Sequence, residues 1–120
     1  MLLQRTTAKE QSRRLIAAEL PQAFIAEYGA VVIENHLNMI RPIAESPAVP
    51  AATLAALLNS PILDRAFRCI SGSVAVSAYE LESLPLPPPQ ALRPITRLLE
   101  KKARPTAVHA ACGQLFGGGE

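Results

Sequence analysis

Residues 51–58 read Ala-Ala-Thr-Leu-Ala-Ala-Leu-Leu, which sets Leu54, Leu57 and Leu58 on one side of a helical repeat and predicts a helix. Pro50 suits its first turn, and Asn59 with Ser60 stops it. Ser60 followed by Pro61 is a cap and first-position pair. It predicts a second helix from Pro61 to about Cys69, with Ile62, Phe67 and Ile70 turned inward and Arg65 and Arg68 outside. A Ser71-Gly72-Ser73 turn then releases the alternating run Val74-Ala75-Val76, and Ser77 stands where a third helix would be capped. Leu81 and Leu84 share one face of that short helix, and Pro85, Pro87, Pro88 and Pro89 forbid its continuation. This corner is expected to be structural, with Gly72 and Leu81 its sensitive positions. From Gln90 to Lys102, Leu92, Ile95, Leu98 and Leu99 repeat at helical spacing while Arg93, Arg97 and Lys101 lie on another side; Pro94 falls in the tolerated first turn. Residues 105–120 hold Pro105 and a Gly-Gly-Gly tail without a clear period, and are expected to be irregular.

The other pattern is extended. Residues 2–7 have strand-compatible content, and 14–20 read as strand or helix, with Pro21 ending the segment either way. Paired as a hairpin, 2–7 and 13–19 would gather Arg5, Lys9, Arg13 and Arg14 on one rim. After Gly29, the β-branched run Ala30-Val31-Val32-Ile33 predicts the central strand, with an extension through Leu37 and Met39 to Ile40. Together these elements predict a small single α+β domain, with a mixed or antiparallel sheet and several short helices. No repeat or linker divides it.

Composition narrows the picture. The chain has 120 residues, 49% of them hydrophobic, with no Trp, so the core must be aliphatic. No apolar run reaches the roughly 18 residues a membrane span needs, and the N-terminus has no cleavable signal pattern, so the cytoplasm is the expected compartment. Cys69 and Cys112 lie far apart and are expected to be reduced. The net charge of +2 is uneven. Four bases stand in residues 1–14 against Glu10, and five in 93–104 against Glu100, while the middle is acidic. Basic ends suit a polyanionic partner, because local Lys and Arg clusters release counterions from phosphates; a solvated surface is the competing reading.

Catalytic chemistry finds no foothold. A nucleotide or AdoMet site needs a glycine-rich turn between strand and helix, and Gly117, Gly118 and Gly119 form a tail instead. His36, His109, Cys69 and Cys112 lack metal-ligand spacing. No nucleophile, base or metal set is selected. Asn35-His36 is a polar pair that could reach base edges or phosphates, or cap a turn.

Several short pieces in order carry a family resemblance. They are Gln4-Arg5-Thr6-Thr7-Ala8-Lys9-Glu10 with Arg13-Arg14, Glu34-Asn35-His36-Leu37-Asn38, Leu57-Leu58-Asn59-Ser60, Phe67-Arg68 with Ser71-Gly72-Ser73 and Val76-Ser77, and Leu84-Pro85-Leu86-Pro87. In this order they resemble the C-terminal target-recognition region of adenine-specific DNA methyltransferases of restriction-modification systems. The last three are also similar to target-recognition domains of type I restriction specificity subunits. The resemblance covers residues 2 to 90, leaving 91–104 as a basic C-terminal helix and 105–120 as the tail. It implies a module that lies against double-stranded DNA and reads its sequence, while a separate catalytic domain or subunit binds AdoMet and methylates adenine. The family's Asn-Pro-Pro-Tyr motif and AdoMet glycine motif have no counterpart here, so no cofactor is expected in this chain and no methylation by it alone. The resemblance and the charge map agree on Arg5, Lys9, Arg13 and Arg14 as the DNA-facing set. Asn35, His36, Arg65 and Arg68 follow. A protein-interaction module or degenerate fragment docking on a partner subunit is the alternative.

Overall fold

A computed structural model describes residues 1–6, 11–33, 36–43, 45–72 and 75–117. Its centre is a three-residue strand, β1 (Leu2–Gln4), flanked on both sides by antiparallel partners, β2 (Ala17–Ala18) and β3 (Leu37–Met39). Leu3 lies opposite Ala17 on one side and Asn38 on the other. It is fully buried, whereas its neighbours Leu2 and Gln4 are only partly so, as the two-residue period of a strand requires. The N-terminal hairpin expected from sequence is therefore present in shortened form. The overall class is α+β, a three-stranded antiparallel sheet with several helices.

The central strand is β1, and not the β-branched run at 30–33. Residues 30–33 form no strand, and Val32 is fully exposed. Both edges of β1 are already taken by β2 and β3, so this run does not pair with it. Its strand propensity, which measures fit to a packed sheet surface, goes unused. The pairing segment is the downstream extension, Leu37–Met39. Before it comes a helix that the sequence did not announce, α1 (Gln22–Tyr28), entered from Pro21 and closed by Gly29 at φ 76°. That left-handed conformation is the one glycine adopts without steric cost, so Gly29 ends a helix here.

The remaining helices pack against one another. Helix α2 (Ala51–Leu58) starts after Pro50 and buries Thr53, Ala55, Leu57 and Leu58. Helix α3 (Pro61–Ile70) follows after Asn59 and Ser60. Ser60 stands at its start, but its hydroxyl donates backwards to the Leu57 carbonyl at 2.6 Å and caps no N–H of α3. Phe67 is fully buried as expected, while Ile70, at the last position of α3, is left 42% exposed. Helix α4 (Ala78–Glu82) is capped by Ser77, whose hydroxyl oxygen accepts from the Glu80 N–H at 3.1 Å. A 3-10 turn at Pro89–Leu92 leads into α5 (Arg93–Glu100).

Residues 105–115 are not an irregular tail. They form the longest helix, α6 (Pro105–Leu115), which buries Val108 and Cys112 four positions apart against α3 and α5. Pro105 opens it, and Ala107, Ala110, Ala111 and Gly113 hide the apolar period because small residues carry little contrast. Residues 118–120 lie outside the described residues. One cluster joins Leu3 and Leu15 with Leu57, Leu63, Phe67, Val76, Ile95 and Cys112, so residues on both sides of position 90 share a core. It is aliphatic apart from Phe67 and Cys112, as the composition required. Buried Thr53 and half-buried Thr96 meet beside it, hydroxyl to hydroxyl at 2.8 Å, tying α2 to α5. Both cysteines are free thiols, Cys69 exposed and Cys112 buried. No helix among the described residues is long and apolar enough to cross a membrane.

Candidate nucleic-acid interface

Asp64, in the first turn of α3, organises the segment that carries most of the N-terminal arginines. Its Oδ1 accepts from the backbone N–H of Arg14 at 2.7 Å and of Leu15 at 2.9 Å, and its Oδ2 accepts from Arg68 Nε at 3.0 Å. Arg68 also donates through Nη2 to the Ser12 carbonyl. Burial pushes the Asp64 carboxyl up, but the two amides and the Arg68 guanidinium outweigh it and hold the group below the usual carboxylate range. Asn59 completes the clasp: its amide donates to the Ala17 carbonyl and its oxygen accepts from the Ala17 N–H, both at 2.8 Å. A side chain thus closes the outer edge of β2 as another strand would.

The predicted DNA-facing arginines divide accordingly. Arg13 Nη1 donates to the Asn59 carbonyl at 2.8 Å, satisfying an oxygen left over at the end of α2. Arg14 Nη1 reaches the carbonyls of Gln11 and Arg13 at 3.2 and 3.5 Å. Arg13, Arg14 and Arg68 are therefore fastened to the protein's own backbone and to Asp64. Arg5 and His36 are exposed and brought together, since the Arg5 N–H donates to the His36 carbonyl at 2.8 Å. The Arg5 carbonyl in turn accepts from Val76 N–H at 2.6 Å, and Asn38 Nδ2 donates to the Val76 carbonyl at 2.8 Å, so the corner after α3 abuts this rim. Arg65 is exposed on α3. Lys9 and Asn35 lie outside the described residues.

The corner itself is pinned by Glu80. Its carboxylate takes hydrogen bonds from the hydroxyls of Ser71 and Ser77, the latter at 2.8 Å, and these hold it below the usual carboxylate range. Gly72 needs no special conformation: a Cβ added there meets nothing within 4 Å. The expectation that Gly72 is critical to folding is thus corrected.

Among the described residues no three His, Cys, Asp or Glu side chains are placed to hold a metal ion. Burial raises the Cys112 thiol above its ordinary range, with the Ser60 contact opposing, as in an inert packed cysteine. A groove of about 340 Å³ runs beside β3, α2 and α4, lined chiefly by Met39, Ile40, Leu54, Leu58, Leu81 and Leu84. Its lining is largely aliphatic, with Asn38, Arg41 and Glu82 as its polar members.

Sequence reasoning missed Asp64 altogether. The one local signal was its four-residue spacing from Arg68 on a helix.

No family model matches the chain, and no solved structure does. It is similar to the type II methyltransferase M.PstI of Providencia stuartii, with 30% identity over 101 residues. The match takes in 83% of this chain and 20% of that protein, so the chain spans about a fifth of the length of the relative. This supports a link to a type II methyltransferase, in the direction of the resemblance described above.

Proposed function

We propose that the chain is a DNA-recognition module of an adenine-specific DNA methyltransferase of the restriction-modification type, non-catalytic by itself and working beside an AdoMet-binding domain or subunit. The observation that carries this reading is the likeness to M.PstI in a chain without a glycine-rich cofactor turn or a catalytic Asn-Pro-Pro-Tyr. Under it, Arg5 acts as a guanidinium fork on phosphate or guanine, Lys9 as a point charge on phosphate, and Asn35 and His36 as polar contacts. Arg65 adds a backbone contact. Arg13, Arg14 and Arg68 serve chiefly to hold the loop that presents the rim.

The test is titration of labelled duplex DNA with the purified chain as salt is raised. With about four phosphate contacts, affinity falls about a hundredfold between about 50 and 200 mM salt. No binding at the lower concentration defeats the reading, and methyl transfer from labelled AdoMet by this chain alone overturns its non-catalytic part.

A second reading has one observation in its favour. Helix α1 buries none of its residues, and Phe24, Ile25 and Tyr28 are exposed together, with the two rings 4.7 Å apart. Such a surface suits a protein-interaction module docking on a partner subunit.

A further inference from the structure

Residues 93–104 carry Arg93, Arg97, Lys101, Lys102 and Arg104 against the single acid Glu100. All five basic side chains are exposed, and none makes a hydrogen bond or ion pair among the described residues. The opposite side of α5 is occupied: Ile95 is fully buried, Leu98 and Leu99 pack against the core, and Thr96 is bonded to Thr53. The helix therefore has one face committed to folding and one committed to solvent and positive charge.

Helix stability accounts for only part of these cations. Arg97, in the last turn of α5, and Lys101 and Lys102 at its C-terminal end complement the helix dipole there. Arg93 does the reverse, since it stands at the first position of α5, the positive end of that dipole. Arg104 occupies the same unfavourable place at the start of α6. Both are set against their dipoles and neither has a compensating acid. Folding alone would favour other residues at those two positions.

We infer that the solvent face of α5 and its turn into α6, formed by Arg93, Arg97, Lys101, Lys102 and Arg104, is a binding surface for the phosphate backbone of duplex DNA. This rests on the DNA-recognition reading and adds to it a surface separate from the Arg5 rim. Along α5 the side chains of Arg93, Arg97 and Lys101 step at about 6 Å per helical turn, a spacing over which successive phosphates of one strand can each meet a cation. Five unpaired cations on one helix and its turn supply the salt-dependent, sequence-independent part of binding, while register and base choice are left to other residues.

The experiment compares wild-type chain with Arg93→Gln/Arg97→Gln/Lys101→Gln in duplex titrations over a salt series. The triple variant is expected to melt as wild type does and to show a log-affinity against log-salt slope shallower by about two to three. An unchanged slope in the folded variant overturns the inference while leaving the DNA reading intact. Failure of the wild-type chain to bind DNA defeats that reading and this surface with it. A measurement on the unmodified protein guards against misfolding: amine acetylation at Lys101 and Lys102 is expected to slow several-fold when duplex is added. Equal labelling with and without DNA also overturns the proposal.

Discussion

The two basic regions of this chain look alike in sequence and differ in what their charges do. In residues 11–17 the arginines are bound inward, Arg13 to the end of α2 and Arg14 to neighbouring carbonyls, while Arg68 reaches from α3 to join them. In residues 93–104 the cations have no internal partner among the described residues and project from a helix whose apolar side is buried. Clustered positive charge can therefore build a fold in one place and stay available to a ligand in another. What separates the cases is a single buried acceptor, Asp64, together with the bare carbonyls of Ser12 and Asn59.

The comparison breaks most directly at Asp64. Replacing it with Ala leaves the Arg14 and Leu15 N–H groups and the Arg68 guanidinium without their acceptor, and should lower stability by about 3 kcal/mol in urea unfolding. Arg65→Ala, on the exposed side of the same helix, is expected to stay within about 0.5 kcal/mol. A loss of that small size from Asp64→Ala would show that the clasp is ornamental.

The same group sets a pH dependence. Its folded pKa lies below the ordinary carboxylate value, so its contribution is complete above that value and is lost as pH falls through the folded one. Thermal melts taken downward from neutral pH should show this acid loss in wild type and a reduced one in Asp64→Asn. Glu80, also lowered, supplies part of the remainder.

A smaller effect sharpens the contrast between the two regions. Arg13→Ala with Arg14→Ala is expected to cost about 1 to 2 kcal/mol of stability, because backbone carbonyls lose their donors. Arg97→Ala with Lys101→Ala should change stability by less than about 0.5 kcal/mol while weakening DNA binding. The smallest effect belongs to the corner after α3: Gly72→Ala should fall within about 0.5 kcal/mol by denaturant unfolding, since the added methyl enters open space.

Much of the fold was readable where a segment carries its own start, period and stop. Helices α2, α3, α4 and α5 were, through Pro50, Ser60-Pro61, Ser77 and Pro94 with their leucines. Helix α6 was not, because alanines give no contrast between its two sides. Helix α1 had legible punctuation in Pro21 and Gly29, but the β-branched residues after Gly29 drew attention to a strand that lacks a partner. Of the candidate interface, the positions of the bases were legible and their availability was not. The residue types of Arg13 and Arg65 are the same, and only their neighbours differ.

By itself the amino-acid sequence determined the α+β class, the aliphatic core, the basic ends and most helix boundaries, because each follows from residues within a few positions of one another. The tertiary structure decided which strand is central and which arginines are spent. Those outcomes rest on contacts such as Asp64 with Arg14 and Leu15, 50 and 49 positions apart. No local propensity reports a pairing across that distance. It exists only once the core has brought α3 against the start of the sheet.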